Sequence, residues 1–212
     1  MAVRRILKWP SAKLRLKAKP ITDFSEAELL AKDCYDTMLA NLGVGVAAPQ
    51  VGFSKMLLVV DSKVLPSVPS SSLIEGACVL VNPQIDHLTD DKFEWEEACL
   101  SVDDVQALVK RTSKVLLTFK DLGQVEHSLE LEGQEAGVIQ HEADHLEGKL
   151  FIDHLPAFER RRIIKKVRRK NLVKTKEKKE KNRKHLAEIK KQKSRKSRKK
   201  TKKTFGKNKR RK

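Results

Sequence analysis

The chain has 212 residues, with 46 Lys or Arg against 28 acids and a formal net charge of +18. From Arg160 to Lys212 there are 30 basic residues and three acids, a net of +27, which leaves residues 1–159 at −9 and excludes a uniformly basic protein. No apolar run approaches the roughly 20 residues needed to span a bilayer. Cys34, Cys78 and Cys99 are odd in number and lack framework spacing, so a disulfide-built secreted domain is excluded and a reducing cytoplasm is implied.

In chain order, Ser25 and Glu28 have the spacing of a capping box and predict a helix from Ser25 to about Leu42. Leu30, Cys34, Met38 and Leu42 lie along its buried side, and Gly43 ends it. Gly43 to Gln50 reads as an extended or looping stretch. Met56–Val60, Val79–Val81, Lys114–Lys120 and Glu126–Leu131 read as short strands, and Pro66–Ser72 as a surface loop. A helix from about Gln134 to Glu147 stops at Gly148. Strands first and this helix late indicate an α+β fold. Beyond Pro156, the positions of Phe158, Ile163, Ile164, Val167 and Leu172 predict an amphipathic helix with a basic polar face over residues 158–173. From Lys174 to Lys212 apolar residues are too sparse to bury anything, and disorder is expected there, with His185 solvated.

The late helix holds Gln140-His141-Glu142-Ala143-Asp144-His145-Leu146-Glu147-Gly148, which contains H-E-x-x-H. Residues four apart share a helix face, so His141 and His145 can turn two imidazoles to one divalent ion. Glu142 then borders the ion, where a carboxylate serves as base and acid in hydrolysis. A catalytic site of this kind needs a third protein ligand. His87, His127 and His154 lack ligand spacing and are read as surface residues.

Two further blocks, Gly43-Val44-Gly45-Val46-Ala47-Ala48-Pro49-Gln50 and Glu97-Ala98-Cys99-Leu100-Ser101, precede the His pair. With it they resemble, in order, the three signature blocks of the peptide deformylases. Ile6 to Pro10, Leu14-Arg15, Pro20-Ile21 and Gly148 to Phe151 extend the resemblance over residues 2 to about 155. Residues 1–22 have the basic, acid-free composition of a transit peptide, but the resemblance begins inside them and argues for an untargeted protein.

The resemblance implies a peptide deformylase catalytic domain over residues 1–157, with antiparallel or mixed sheets around the H-E-x-x-H helix. It implies removal of the N-formyl group from the initiator methionine of nascent peptides, with release of formate. Cys99, His141 and His145 are then the metal ligands. Thiolate plus two imidazoles suits zinc or ferrous iron equally, and the resemblance favours iron. By the same carry-over Glu142 moves the proton, and the Gln50 side chain and Leu100 N–H meet the oxyanion. Gly43, Val44 and Gly45 would take the peptide backbone as an added strand, and Val44, Leu100 and Val138 are candidates for the methionine pocket. Glu97 is a candidate partner for Arg111, and Asp144 a candidate support for a ligand.

Two departures stand out. Ala98 replaces the usual Gly of the Cys block, which would cost about 1–2 kcal/mol if the position needs positive φ. Gln106 stands where many deformylases carry an Arg that contacts substrate, and a neutral amide cannot supply that charge-assisted bond. Arg160 to Lys170 resembles in outline the basic C-terminal helix by which related enzymes dock on the ribosome, which implies ribosomal RNA as a partner of the basic tail, and a monomeric enzyme is expected. The rival readings are a zinc endopeptidase, opposed by the Cys block and Gln50, and a catalytically weak RNA-binding protein, which Ala98 and Gln106 would favour.

Overall fold

The computed structural model of the protein describes residues 2–208, and the last four residues of the basic extension and the His185 side chain lie outside what is described. The chain divides into two units, Met1–Ile163 and Ile164–Lys212. The first holds helix α1 (Phe24–Ala40), strands β1 (Gly45–Ala47), β2 (Leu57–Asp61), β3 (Leu73–Ile74), β4 (Ala77–His87), β5 (Lys92–Cys99), β6 (Val102–Thr112), β7 (Lys114–Lys120) and β8 (Glu126–Glu132), and helix α2 (Gly133–Leu146). Helix α3 (Ala157–Asn208) begins in the first unit and makes up the described part of the second.

The named strands pair antiparallel: one sheet runs β1-β2-β4-β7-β8, with β3 also on β4, and β5-β6 form a separate hairpin. Strand β2 and the first half of β4, Ala77 to Val81, are buried on both faces. Leu58, Val60, Cys78 and Leu80 pack into one cluster with Ala136, Val138, Ile139 and Leu146 of α2. The alternate residues Leu57, Val59, Val79 and Val81 pack into a second with Ala27, Leu30, Cys34 and Met38 of α1. The sheet therefore lies between the two helices, and each fully buried Leu or Val contributes about 1.5–3 kcal/mol. Cys34 and Cys78 are core residues of these clusters.

Several boundaries differ from the sequence reading. The N-cap of α1 is Asp23, whose carboxylate accepts from Ser25 N–H at 3.0 Å, while Glu28 faces Lys32 at 2.7 Å. Asp is as good a cap as Ser, and Glu28 gains more from a cation one turn later. The helix ends at Ala40, because Leu42 turns to φ 53° and is solvent exposed. Strand β4 is much longer than Val79–Val81 and passes Pro83 through a register shift between Val81 and Gln84, where a missing N–H is tolerated. Strands β5 and β6 were not anticipated. In place of a short helix and a disordered tail, α3 runs unbroken to Asn208: Lys, Arg, Glu and Gln are good helix formers, and the segment has no Pro and no Gly before Gly206. Among the described residues no helix is long and apolar enough to cross a membrane.

Candidate metal centre and active site

The site forms where the hairpin end, the edge strand β1 and α2 meet. In the β5-β6 pair Ala98 faces Gln106, yet Cys99 faces Val102, so the ladder shifts register at the hairpin end and re-aims the cysteine. Helix α2 is fixed to β6 by Gln140, whose amide donates to Thr112 C=O at 2.9 Å and accepts from Thr112 N–H at 3.1 Å. The next residue, His141, and His145 one turn further along face the cysteine, and the potential ligand atoms of Cys99, His141 and His145 lie within 4.8 Å of one another. Cys99 Sγ is 3.3 Å from His145 Nε2.

The electrostatics suit a cation. Burial would raise the Cys99 thiol, but His145 and His141 beside it hold it well below its usual value. Burial would likewise lower His141, but Cys99 and Glu97 hold it well above. In such a cluster a divalent ion can take the place of a bound proton. Thiolate and imidazole donors fit zinc or iron. Glu142 lies beside them, with its carboxyl raised by burial and with Oε2 making no hydrogen bond among the described residues. That oxygen has no structural task in the fold and is free to hold a proton.

Gln50 closes the third side from a short 3-10 turn after β1. Its Oε1 accepts from Ala47 N–H at 2.8 Å, which turns its NH2 group toward Ser101 Oγ at 3.2 Å and Cys99 Sγ at 3.6 Å. Leu100 follows Cys99 at the hairpin end, partly buried and packed against the α1-side core. Gly43 abuts it: a Cβ there would lie 2.8 Å from Leu100 Cδ1. Gly45 has a tighter constraint, because a Cβ would come to 2.5 Å from Glu142 Oε1. We expect Gly45→Ala to displace the carboxylate and lower kcat about 100-fold while the metal content stays at the wild-type level, as read by steady-state formate release beside metal analysis. Val44 is 53% exposed next to the edge strand, whereas Val138 is 3% exposed within the core, one turn before His141 and Glu142.

Behind the ligands runs a buried network that the sequence reading saw only in part. Arg111 donates to Glu97 Oε1 at 2.6 Å and Oε2 at 3.0 Å, and to Asp144 Oδ2 at 2.7 Å. The expected Glu97–Arg111 pair is present, and Glu97 also meets His141 Nδ1 at 2.6 Å, which fixes that ring and leaves its other nitrogen for a metal. Asp144 reaches the network through Arg111 and also meets His154 at 2.7 Å. Burial would raise the Glu97 carboxyl, but His141 and Arg111 hold it below its usual value. A cavity of about 670 Å³ lined by Arg111, Gln140, Asp144 and His154 lies on the opposite face of α2 and includes neither Cys99 nor Glu142.

Ala98 is exposed and has ordinary strand φ, so the left-handed strain that a Gly would relieve is absent. Gln106 sits opposite it on β6, also exposed.

The family model for polypeptide deformylase matches residues 3–161. The chain belongs to the peptide deformylase family. It is 37% identical to peptide deformylase 1 of Pseudomonas syringae pv. tomato over 172 residues, which cover 81% of this chain and 98% of that protein. The crystal structure of a peptide deformylase from Legionella pneumophila superposes with a TM-score of 0.71 at 35% identity, covering 82% of this chain and 98% of that one. The peptide deformylase from Ehrlichia chaffeensis in complex with actinonin gives a TM-score of 0.71 at 32% identity, with 80% and 98% covered. As a member of the peptide deformylase family, the chain is a metallohydrolase that removes the N-formyl group from the N-terminal methionine of newly synthesised proteins and releases formate. About a fifth of it exceeds the length of these peptide deformylases.

Proposed function

We propose that this deformylase holds one divalent ion, iron(II) in preference to zinc, on Cys99, His141 and His145, in a bacterial cytoplasm and as a monomer. The observation that carries the ligand assignment is the convergence of those three donor atoms within 4.8 Å beside the unpartnered carboxylate oxygen of Glu142. When bound, the ion polarises water and lowers its pKa so that a strong nucleophile is available near neutral pH. Glu142 accepts the proton of that water and returns it to the departing amine of methionine, and its raised pKa suits both halves of the task. The Gln50 Nε2 group and the Leu100 N–H donate to the oxygen that gains charge as the formyl carbon becomes tetrahedral.

The peptide backbone pairs with Gly43, Val44 and Gly45. Strand β1 ends the sheet order, with β2 as its one strand neighbour among the described residues, and an added strand would pair on its far side; such backbone pairing tolerates any sequence after the methionine. Val138, on the same α2 face as His141 and Glu142, and Leu100 line the methionine pocket. The decisive measurement is formate release from a formyl-Met-Ala-Ser peptide by anaerobically prepared, iron-loaded protein. Cys99→Ala is expected to lose both bound metal and turnover, and a Cys99→Ala protein that still holds stoichiometric iron refutes the ligand assignment.

The basic extension is proposed to keep the enzyme near emerging chains by contacting ribosomal RNA. Its only aromatics are Phe158 and Phe205, so it offers charge for phosphates and little for base stacking. A chain ending at Ala157 is expected to lose co-sedimentation with ribosomes, and the full chain to lose it as salt rises. Cleavage of the free formyl peptide should be unaffected. Binding that persists in high salt, or after the truncation, refutes docking through this segment.

A further inference from the structure

Three successive residues of the N-terminal segment clasp the two parts of the chain that hold the oxyanion donors. Leu7 N–H donates to Gln50 C=O at 2.8 Å, and Trp9 N–H donates to Ser101 C=O at 2.8 Å. Between them Lys8 Nζ donates to Leu100 C=O at 2.6 Å and is paired with Asp103 Oδ1 at 2.7 Å. The Leu100 carbonyl belongs to the same peptide unit as Ser101 N–H, and that N–H points at Cys99 Sγ at 3.4 Å. A cation on the oxygen of an amide draws electron density toward that oxygen and makes the N–H a stronger donor, because hydrogen bonds in a chain polarise one another.

We propose that Lys8 is a positioning residue of the active site: its ammonium, locked on the Leu100 carbonyl and Asp103, sets the hairpin end that carries the Leu100 N–H and strengthens the Ser101 hydrogen bond to the Cys99 sulfur. The inference rests on Cys99 being a metal ligand. Hydrogen bonds to a ligating sulfur reduce how much charge it gives the metal, so removing the cation makes the sulfur a stronger electron donor. The ion pair itself is half exposed, with the Lys8 side chain 41% accessible, and contributes little to stability. Its influence is on the site.

The test uses the full chain loaded with Co2+, whose sulfur-to-metal charge-transfer band in the near ultraviolet reports on the cysteine directly. Lys8→Met is expected to move that band to lower energy and, in the iron-loaded enzyme, to lower kcat about tenfold with KM and the thermal midpoint unchanged. Lys8→Arg, which keeps a cation on the carbonyl, should restore the band position and kcat. A wild-type band that Lys8→Met leaves in place, with kcat unaltered, overturns the role of Lys8 alone. A wild-type protein that binds Co2+ without any such band overturns the ligand assignment of Cys99 and this inference with it.

Discussion

Replacing Glu142 with Ala is expected to lower formate release about 1,000-fold while the protein stays folded and keeps its metal. The side chain is buried and one of its oxygens has no hydrogen-bond partner, so removing it breaks nothing that holds the fold together. It even relieves the desolvation that raises its pKa. What is lost is the only unpartnered buried carboxylate oxygen among the described residues, and with it the route for the proton from water to amine. Steady-state formate release, metal analysis and thermal melting on one preparation separate these effects. A variant retaining a tenth of the wild-type rate would move the proton-transfer role to another group.

Arg111→Met should act in the opposite way, on stability first. The guanidinium is 4% exposed and joins Glu97, with 1% exposure, to Asp144. Without it Glu97 is left with His141 and Asp144 with His154, the two carboxylates lose the full positive charge they share, and breaking a buried ion pair from one side costs about 3–5 kcal/mol. For a domain of this size that lowers the melting temperature by roughly 6–20 °C. The loss also frees Glu97 to reorient, and His141 loses its fixed partner, so metal affinity should fall about 10- to 100-fold. Thermal melting and metal titration read the two consequences independently. A melting point within 2 °C of wild type would mean that the network is solvated in the protein.

The same pair explains why part of the structure was hard to read in the sequence. Strand β6 alternates faithfully, with Val105, Ala107, Val109 and Arg111 turned inward, and Phe93, Trp95 and Glu97 take the less exposed face of β5. The two charged residues fall where an apolar residue is expected, so a hydrophobic pattern breaks just where the strands approach the metal site. Their opposite charges identify them as a candidate pair in the sequence, but the network they share with Asp144 and His141 is visible only in the folded hairpin and helix. By contrast the convergence of Cys99, His141 and His145, with Glu142 and Gln50 beside them, was legible, because helical spacing and three short blocks fix these residues locally. The two-sided burial of β2 and the first half of β4 left runs of Val and Leu that locate a strand but not its length. Ser101 stood inside a recognised block, yet its contacts to Gln50 and Cys99 depend on a hairpin end that no local pattern encodes. Lys8 gave no local signal, since its partner carbonyl lies 92 residues away.

Helix α3 carries 26 Lys or Arg and four acids from Ala157 to Asn208. At 1.5 Å per residue its 52 residues extend over roughly 78 Å, which is about one net positive charge per 3.5 Å. Phosphates along one strand of a nucleic-acid duplex recur at about 3.4 Å. The mean charge density of the helix, spread along its axis like a ladder, is therefore close to that of a phosphate backbone. Attachment through such a ladder is distributed over its rungs: it should weaken in proportion to the number of turns removed, and no single substitution along it should abolish it.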